Sequence, residues 1–484
     1  MSETHFQIRR TLDSMQILGA TSCPVGERRD TTRWRVRATS LTQAKNPIRI
    51  IVDDLIGKEN PLKELISLAQ GDPSAYGHLK PHEEAVTAVV NAFLSGNHDG
   101  YTASTGSAAC RAAIAAACSY DERHPLSLHD VFVTAGCSQA LEHCITVLAA
   151  PGKNILLPRP GFPLYETICH RHGVVCIFYE LLPGQGWEVD LDSVRQLAND
   201  KTAAILINNP SNPCGAVYSR RHLEAIVEVA DALKLPVLAD EVYAGVTFKK
   251  QFVSIAEVCG DVPVFSVSAL SKRWLVPGWR LGWVCVHDIN GKLHGSGVRA
   301  AINSLCQISL GPSTPIQAAV PTILATDDRV WLSDIVSVLH SAAMLSASRV
   351  QNIDGLSIVS PPEGAMYVLV KIDLNAFKGC STATFFAEGL LSEESVLVLP
   401  GDCFRASGFI RIVTTVPESA LQAAWDRIEA FCIRRYKAES SNLSTFAQDS
   451  HAARVGLPRI ASFAGGHEGL LLKPPVVTSA EELF

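Results

Sequence analysis

Residues 203–240 decide the fold: they read AAILIN (203–208), NPSNPCG (209–215), SRRHLEAIVEVADAL (219–233) and PVLAD (236–240). AAILIN and PVLAD are continuous apolar runs, and a strand of that kind needs cover on both faces. The stretch between them carries a helical pattern. Strand, helix, strand is the unit of a mainly parallel α/β sheet. Working outward, the same alternation continues through DVFVT (130–134), SQALEHCITVLAA (138–150), NILLP (154–158), VVCIF (174–178), PVFSV (263–267) and GWVCV (282–286). The predicted fold class is therefore α/β, a large domain with a mainly parallel sheet covered by helices.

After about residue 325 the pattern turns to helix and then short strands, MYVLVKI (366–372) and FIRIV (409–413), which predicts a smaller α+β domain. The expected division is an N-terminal arm over 1–45, then 46–95 as linker and part of the small domain. A large ligand-binding domain over 96–330, a small C-terminal domain over 331–436 and a flexible tail over 437–484 complete it. The tail shifts to Ser, Thr, Gly and Pro, a composition that buries little. A length of 484 residues, about three times the usual single-domain size, fits two packed domains. No repeat of 20–50 residues suggests a solenoid.

Composition excludes several function classes. With 47% hydrophobic and 19% charged residues the chain suits a buried core. Its net charge of −6 gives no footprint for nucleic acid. No uninterrupted apolar run approaches the roughly 18 residues of a spanning helix. Fourteen cysteines are scattered singly through apolar segments, with no C-x-x-C, as buried free thiols are in a reducing compartment. No signal peptide pattern opens the chain, and the arginines at 28, 29, 33, 35 and 37 start late. The expected compartment is cytoplasmic, with a mitochondrial one as the alternative. No metal site is expected: there is no H-E-x-x-H, and His170-Arg-His172 reads as surface histidines.

In an open α/β sheet, ligands bind beyond the carboxyl ends of the strands, so the residues just after each strand matter most. After DVFVT come Ala135-Gly136-Cys137-Ser138-Gln139, opening a helix. Alone, that turn reads as a helix cap as readily as a phosphate cradle. After AAILIN, two prolines and a glycine fix a loop that presents Asn212. PVLAD ends in Asp240-Glu241, with Tyr243 close behind, and an acid ending a buried strand needs a partner. After PVFSV, Lys272 lies between small residues and the segment RWLVPGW, eight residues before Arg280. A partly desolvated lysine of that kind can lose its proton and form a Schiff base. Together these groups describe one ligand, with a phosphate (Ser138, Arg280), a cationic ring nitrogen (Asp240), a phenolic oxygen (Asn212, Tyr243) and an aldehyde (Lys272). That ligand is pyridoxal 5'-phosphate.

From about Arg33 to Tyr436 the chain resembles the class I pyridoxal-phosphate-dependent aminotransferases of fold type I. NPIR (46–49), SLAQGDP (67–73), PRPGFPLY (158–165), NNPSNPCG (208–215), ADEVY (239–243) and KRWLVPGWRLGW (272–283) carry the resemblance. The wording of NPSNPCG and KRWLVPGWRLGW is similar to the tyrosine-aminotransferase branch. The resemblance implies that Lys272 anchors the cofactor and moves the substrate's Cα proton, and that Asp240 keeps the ring nitrogen protonated. It implies that Tyr243 and Asn212 bond the ring oxygen and that Phe162 stacks on the ring. Cys137, Ser138, Gln139 and Arg280 would line the phosphate, with Tyr101 of a homodimer's neighbouring subunit. Arg411, in FIRIV, would grip the substrate α-carboxylate, with Gly71 and Asn212 beside it. One departure is Ala269, where many members of the family have a phosphate-binding serine or glycine; Ser268 and Ser271 are the candidates to replace it. The implied reaction transfers an amino group from an aromatic L-amino acid, tyrosine, to 2-oxoglutarate. The alternatives are a cystine-lyase-like C–S lyase on the same cofactor and an aminotransferase for another substrate such as nicotianamine. A ligand-sensing regulator is a further class, but the N-terminal arm is too short for a helix-turn-helix domain.

Overall fold

The computed structural model describes residues 46–437. The expected arm over 1–45 and the tail beyond Lys437 lie outside the described residues. The strands are β1 (Ile66–Ser67), β2 (Val131–Thr134), β3 (Asn154–Arg159), β4 (Val175–Leu182), β5 (Glu188–Val189), β6 (Thr202–Asn208) and β7 (Val237–Asp240). They continue as β8 (Val264–Ala269), β9 (Gly282–His287), β10 (Leu356–Ser357), β11 (Tyr367–Ile372), β12 (Val396–Leu397), β13 (Leu399–Pro400) and β14 (Phe409–Val413).

Eight strands form one sheet in the order β2-β9-β8-β7-β6-β3-β4-β5. The inner run β8-β7-β6-β3-β4 is parallel, as the continuous apolar strands predict. The edges depart from that expectation. Strand β9 runs antiparallel to both β8 and β2, and β5 runs antiparallel to β4. A parallel crossover needs about a dozen residues, usually as a helix. The β8–β9 link holds only a four-residue helix, Leu270–Arg273, and a turn at Pro277–Trp279, so the chain doubles back beside the strand it left.

That reversal matters for the site. Because β2 and β8 flank β9 and both oppose it, the carboxyl ends of β2, β3, β6, β7 and β8 share one edge with the amino end of β9. The register confirms this: Gly282 faces both Thr134 and Ala269, and Asp240 pairs with Asn208 and Val267. Helices hold the sheet from either side. The helix Arg220–Leu233 starts at Ser219, whose hydroxyl accepts the His222 N–H. Its buried face includes Leu223, Ile226 and Ala230. Burying Leu223 and Ile226 stabilises the layer by roughly 1.5–3 kcal/mol each.

The second sheet is antiparallel throughout, in the order β10-β11-β14-β13. Arg411 sits mid-sheet on β14, facing Leu369 on one side and Leu399 on the other. The pair β1–β12 is parallel and leads the chain from Ile66 towards Gly71 along this sheet, with the Val413 N–H donating to the Leu68 carbonyl at 3.0 Å. The helix Arg329–Gln351 is long and apolar enough to cross a membrane by length and composition. Asp334, His340 and Arg349 interrupt it, so no unbroken apolar run marks it in the sequence. Its Ile335, Leu339, Ala342 and Val350 face is packed in the core, where the Trp425 indole N–H donates to Ser346 at 3.1 Å. Every described cysteine is a free thiol.

Candidate active site

A cavity of about 360 Å³ opens at the shared edge of the large sheet, roofed by Arg411 and Tyr367 of the small one. The loop after β6 is pinned first. Asn208 accepts the Asn212 N–H at 2.7 Å and donates to the Asp240 carbonyl at 3.0 Å, while Asn209 accepts the Tyr218 N–H at 2.9 Å. These bonds fix Asn212 at the cavity wall. Its side-chain oxygen is taken by Arg411 at 3.0 Å, which leaves its NH2 as the group it can offer a ligand.

The two acids ending β7 part company. Asp240, only 3% exposed, faces the cavity and accepts the Tyr165 hydroxyl at 2.6 Å, the Val242 N–H at 3.2 Å and the Cys137 thiol at 3.7 Å. Burial nevertheless pushes its carboxyl above the usual range, against these bonds and the charge of Lys272. Glu241 turns away and accepts Ser254 Oγ and the Ile255 N–H; burial pushes it up to about 7. A cation is the partner the cavity side of Asp240 lacks.

Lys272 stands on the short helix after β8, with Nζ donating to the Gly71 carbonyl and lying 6.0 Å from the Tyr243 ring centre. Gly71 has no room for a side chain, since a Cβ there would meet the Tyr367 hydroxyl at 2.4 Å. Tyr243 and Tyr367 share a hydrogen bond at 2.6 Å, both rings buried.

Arg411 is 3% exposed and has no acidic partner among the described residues. Its guanidinium bonds two neutral oxygens, Asn212 Oδ1 and the Ala69 carbonyl at 2.5 Å, and its Nε is unpaired. The rings of Tyr367 and Phe404 cover it at 4.3 and 4.7 Å. Burial depresses its pKa. A buried charge without a counter-ion is costly, and an anionic ligand relieves it.

The far end of the cavity has the groups of an anion site. The helix Cys137–Leu148 begins at Gly136 (φ +80°) with no side-chain cap, so its first N–H groups are open to an anion. Arg280 leans over this end, donating to the Ala135 and Pro277 carbonyls at 3.0 and 2.9 Å. A Cβ on Gly136 would lie 2.3 Å from its guanidinium, and one on Gly282 would lie 2.5 Å from the Gly136 backbone. Ser138 and Ser271 line the cavity beside them, whereas Ser268 bonds the Glu241 carbonyl on another side of the chain. Of the two hydroxyls proposed to replace one at Ala269, Ser271 is therefore the one within the cavity.

Thus Gly71, Cys137, Ser138, Phe162, Asn212, Asp240, Tyr243, Lys272, Arg280 and Arg411 all line one cavity. Two expected residues do not. The Gln139 side chain is spent on bracing the turn, accepting the Ala135 N–H at 2.7 Å and donating to Ser309 at 3.3 Å. Tyr101 is 92% exposed and does not line its own chain's cavity. Sequence reasoning misses Tyr165, Tyr367 and Asn208. Tyr165 closes the PRPGFPLY segment and its fully buried hydroxyl demands a partner, the one signal available; Tyr367 reads only as strand.

Residues 63–428 match the family model for aminotransferase class I and II. The tyrosine aminotransferase of Mus musculus is 42% identical over 406 residues, 84% of this chain and 89% of that one. The tyrosine aminotransferase of Homo sapiens is 42% identical over 420 residues, 86% and 92% of the two chains. The crystal structure of tyrosine aminotransferase from Leishmania infantum superposes with a TM-score of 0.80 at 30% identity, covering 84% of this chain and all of that one.

Proposed function

This chain belongs to the class I and II aminotransferases, and on that premise we propose that it moves the amino group of L-tyrosine onto 2-oxoglutarate with pyridoxal phosphate as cofactor. The observation that carries this reading is Arg411, a buried cation with no acid beside it among the described residues, in one cavity with Lys272 and Asp240. The donor set fits the cofactor. The uncapped helix end, Arg280, Ser138 and Ser271 would hold its phosphate, Asp240 its ring nitrogen, Tyr243 and Asn212 its ring oxygen. Phe162 would cover one ring face.

When bound, pyridoxal phosphate supplies an aldehyde carbon that accepts amines and a ring that withdraws electrons from the substrate's Cα. The protein does the rest. Arg411 binds the α-carboxylate through two parallel N–H bonds once its neutral partners give way. That grip would fix the orientation of the bonds at the substrate's Cα. Lys272 would anchor the cofactor's aldehyde carbon and, once released, would carry a proton between the substrate's Cα and the cofactor's C4′. Its amine stands in the cavity between the Gly71 carbonyl and the Tyr243 ring. Asp240 would hold a proton on the ring nitrogen, and in doing so its buried carboxylate would gain the cation it lacks. The walls Ile48, Leu164 and Leu399 offer an apolar seat for an aromatic side chain.

The test needs one cuvette. L-Tyrosine added to the holoenzyme without an acceptor will abolish its visible band, and 2-oxoglutarate will restore it. A band indifferent to tyrosine but lost with nicotianamine removes the substrate and keeps the family. Pyruvate released from cystine marks the lyase instead.

The reading includes a second copy of the chain. The helix Glu83–Leu94 exposes Val90, Phe93 and Leu94, and Ile308 and Leu310 are exposed as well. Several large apolar side chains open to solvent suit an interface. On this reading Tyr101 reaches the partner's phosphate site. Sedimentation equilibrium should give twice the chain mass, and a monomer at micromolar concentration sinks this part.

A further inference from the structure

We infer that Tyr367 is a positioning residue that ties the carboxylate-binding arginine to the phenol at the cofactor's ring oxygen; the inference rests on the cofactor and carboxylate roles proposed above. Three groups meet at this one side chain. Its ring face lies 4.3 Å from the Arg411 guanidinium, its hydroxyl lies 2.6 Å from that of Tyr243, and the hydroxyl fills the space where Gly71 has no Cβ. These groups come from β14, from the end of β7 and from the segment after β1, so one side chain of the small sheet meets all three walls of the cavity. The strand register makes it possible. Leu369 faces Arg411 and Tyr367 faces Val413, which puts Tyr367 and Arg411 on one face as diagonal neighbours.

The ring and the hydroxyl have separate tasks. Arg411 must stay buried, charged and available. A carboxylate beside it would hold it but compete with the substrate's own carboxylate. The faces of Tyr367 and Phe404 attract the cation without neutralising it, so its charge is kept for the ligand. The hydroxyl works through proton direction. A phenol carries one proton. If Tyr243 donates to the ring oxygen, its own oxygen must accept, and Tyr367 is the donor in reach. Tyr367 then strengthens the donation by Tyr243, because hydrogen bonds in a chain polarise one another. A donor to the ring oxygen favours the deprotonated form.

Two variants separate these tasks, read by the pH titration of the visible band and by the Kd of 3-phenylpropionate, a carboxylate with no amine. Tyr367→Phe keeps the face and loses the hydroxyl. It should raise the titration midpoint by about half a unit to one unit, with Kd changed less than about twofold. Tyr367→Leu loses both, and should also weaken 3-phenylpropionate about tenfold. Phe404→Leu reads the opposite face of the same sandwich, so the result does not depend on the leucine variant folding. An unmoved midpoint in Tyr367→Phe overturns the hydroxyl link. Unchanged Kd in both Tyr367→Leu and Phe404→Leu overturns the sandwich. A wild-type holoenzyme with no visible band fails the cofactor reading itself, which is a different result.

Discussion

Lys272→Ala will turn over at less than about a thousandth of the wild-type rate while still folding and still binding 3-phenylpropionate. The side chain is asked for two things that alanine cannot supply, a nucleophilic amine and a base at Cα. General acid–base catalysis alone contributes about 10²–10⁴-fold. Folding depends on it little. Lys272 is partly exposed and its amine donates to a backbone carbonyl, so the midpoint of thermal unfolding should stay within a few degrees. Arg411 is untouched by the change, so the carboxylate should still bind. Lys272→Arg sharpens the experiment. It keeps the positive charge beside Asp240 but never offers a neutral amine, since a guanidinium does not lose its proton in a protein. If Lys272 acted only as a charge, arginine would restore the rate. We expect both variants to be equally inactive and added methylamine to rescue alanine in part. Activity above a tenth of wild type in Lys272→Arg would remove the proton-transfer role.

Legibility in the sequence depends on which interactions are local. β6 and β7 were legible because a strand covered on both faces is apolar throughout, and its length marks it off from a helix. Asn212, Asp240 and Lys272 were legible because each lies at or just beyond the end of such a strand, and the strand ends share an edge. The reversal at β9 was not, because it depends on the short link from 270 to 281 failing to cross over. Ser268 and Ser271 cannot be told apart by spacing. The start of a helix at Leu270 is what turns Ser271 into the cavity and leaves Ser268 on the strand. The pairings were the hardest part. Tyr165 and Asp240 are 75 residues apart, and Tyr243 and Tyr367 are 124 apart. Sequence spacing says that a buried hydroxyl needs a partner, but only the packed fold says which. Gln139 shows the same limit, a polar residue at the start of its helix whose side chain the fold pairs with Ala135 and Ser309.

Asp240→Asn should separate stability from catalysis. In the apoprotein burial outweighs the charge of Lys272 and the hydrogen bonds, so the carboxylate is a burden on the fold, which is what raises its pKa. The amide has nearly the same shape: its oxygen in the Oδ1 place still accepts the Val242 N–H, and its NH2 in the Oδ2 place donates to the Tyr165 hydroxyl, which turns from donor to acceptor. The apoprotein should therefore unfold at a temperature equal to or a few degrees above wild type at pH 8. The pH dependence has a definite sign. A carboxyl raised in the folded state costs stability as pH climbs from its ordinary value of 3.8 through its raised one, so the variant's advantage should vanish near pH 3.5 and be complete at alkaline pH. Turnover should go the other way. An amide cannot hold a proton on the ring nitrogen, and leaving that cation without its partner costs on the order of 3–5 kcal/mol, about a hundredfold to several thousandfold in kcat. Asp240→Glu, which keeps the charge at a poorer distance, should recover part of the loss. If Asp240→Asn lowers kcat by less than tenfold, Asp240 does not hold the ring proton. If the apoprotein is instead strongly destabilised, the carboxylate is a structural group, and its place at the end of β7 has to be explained by Tyr165 and Cys137 alone.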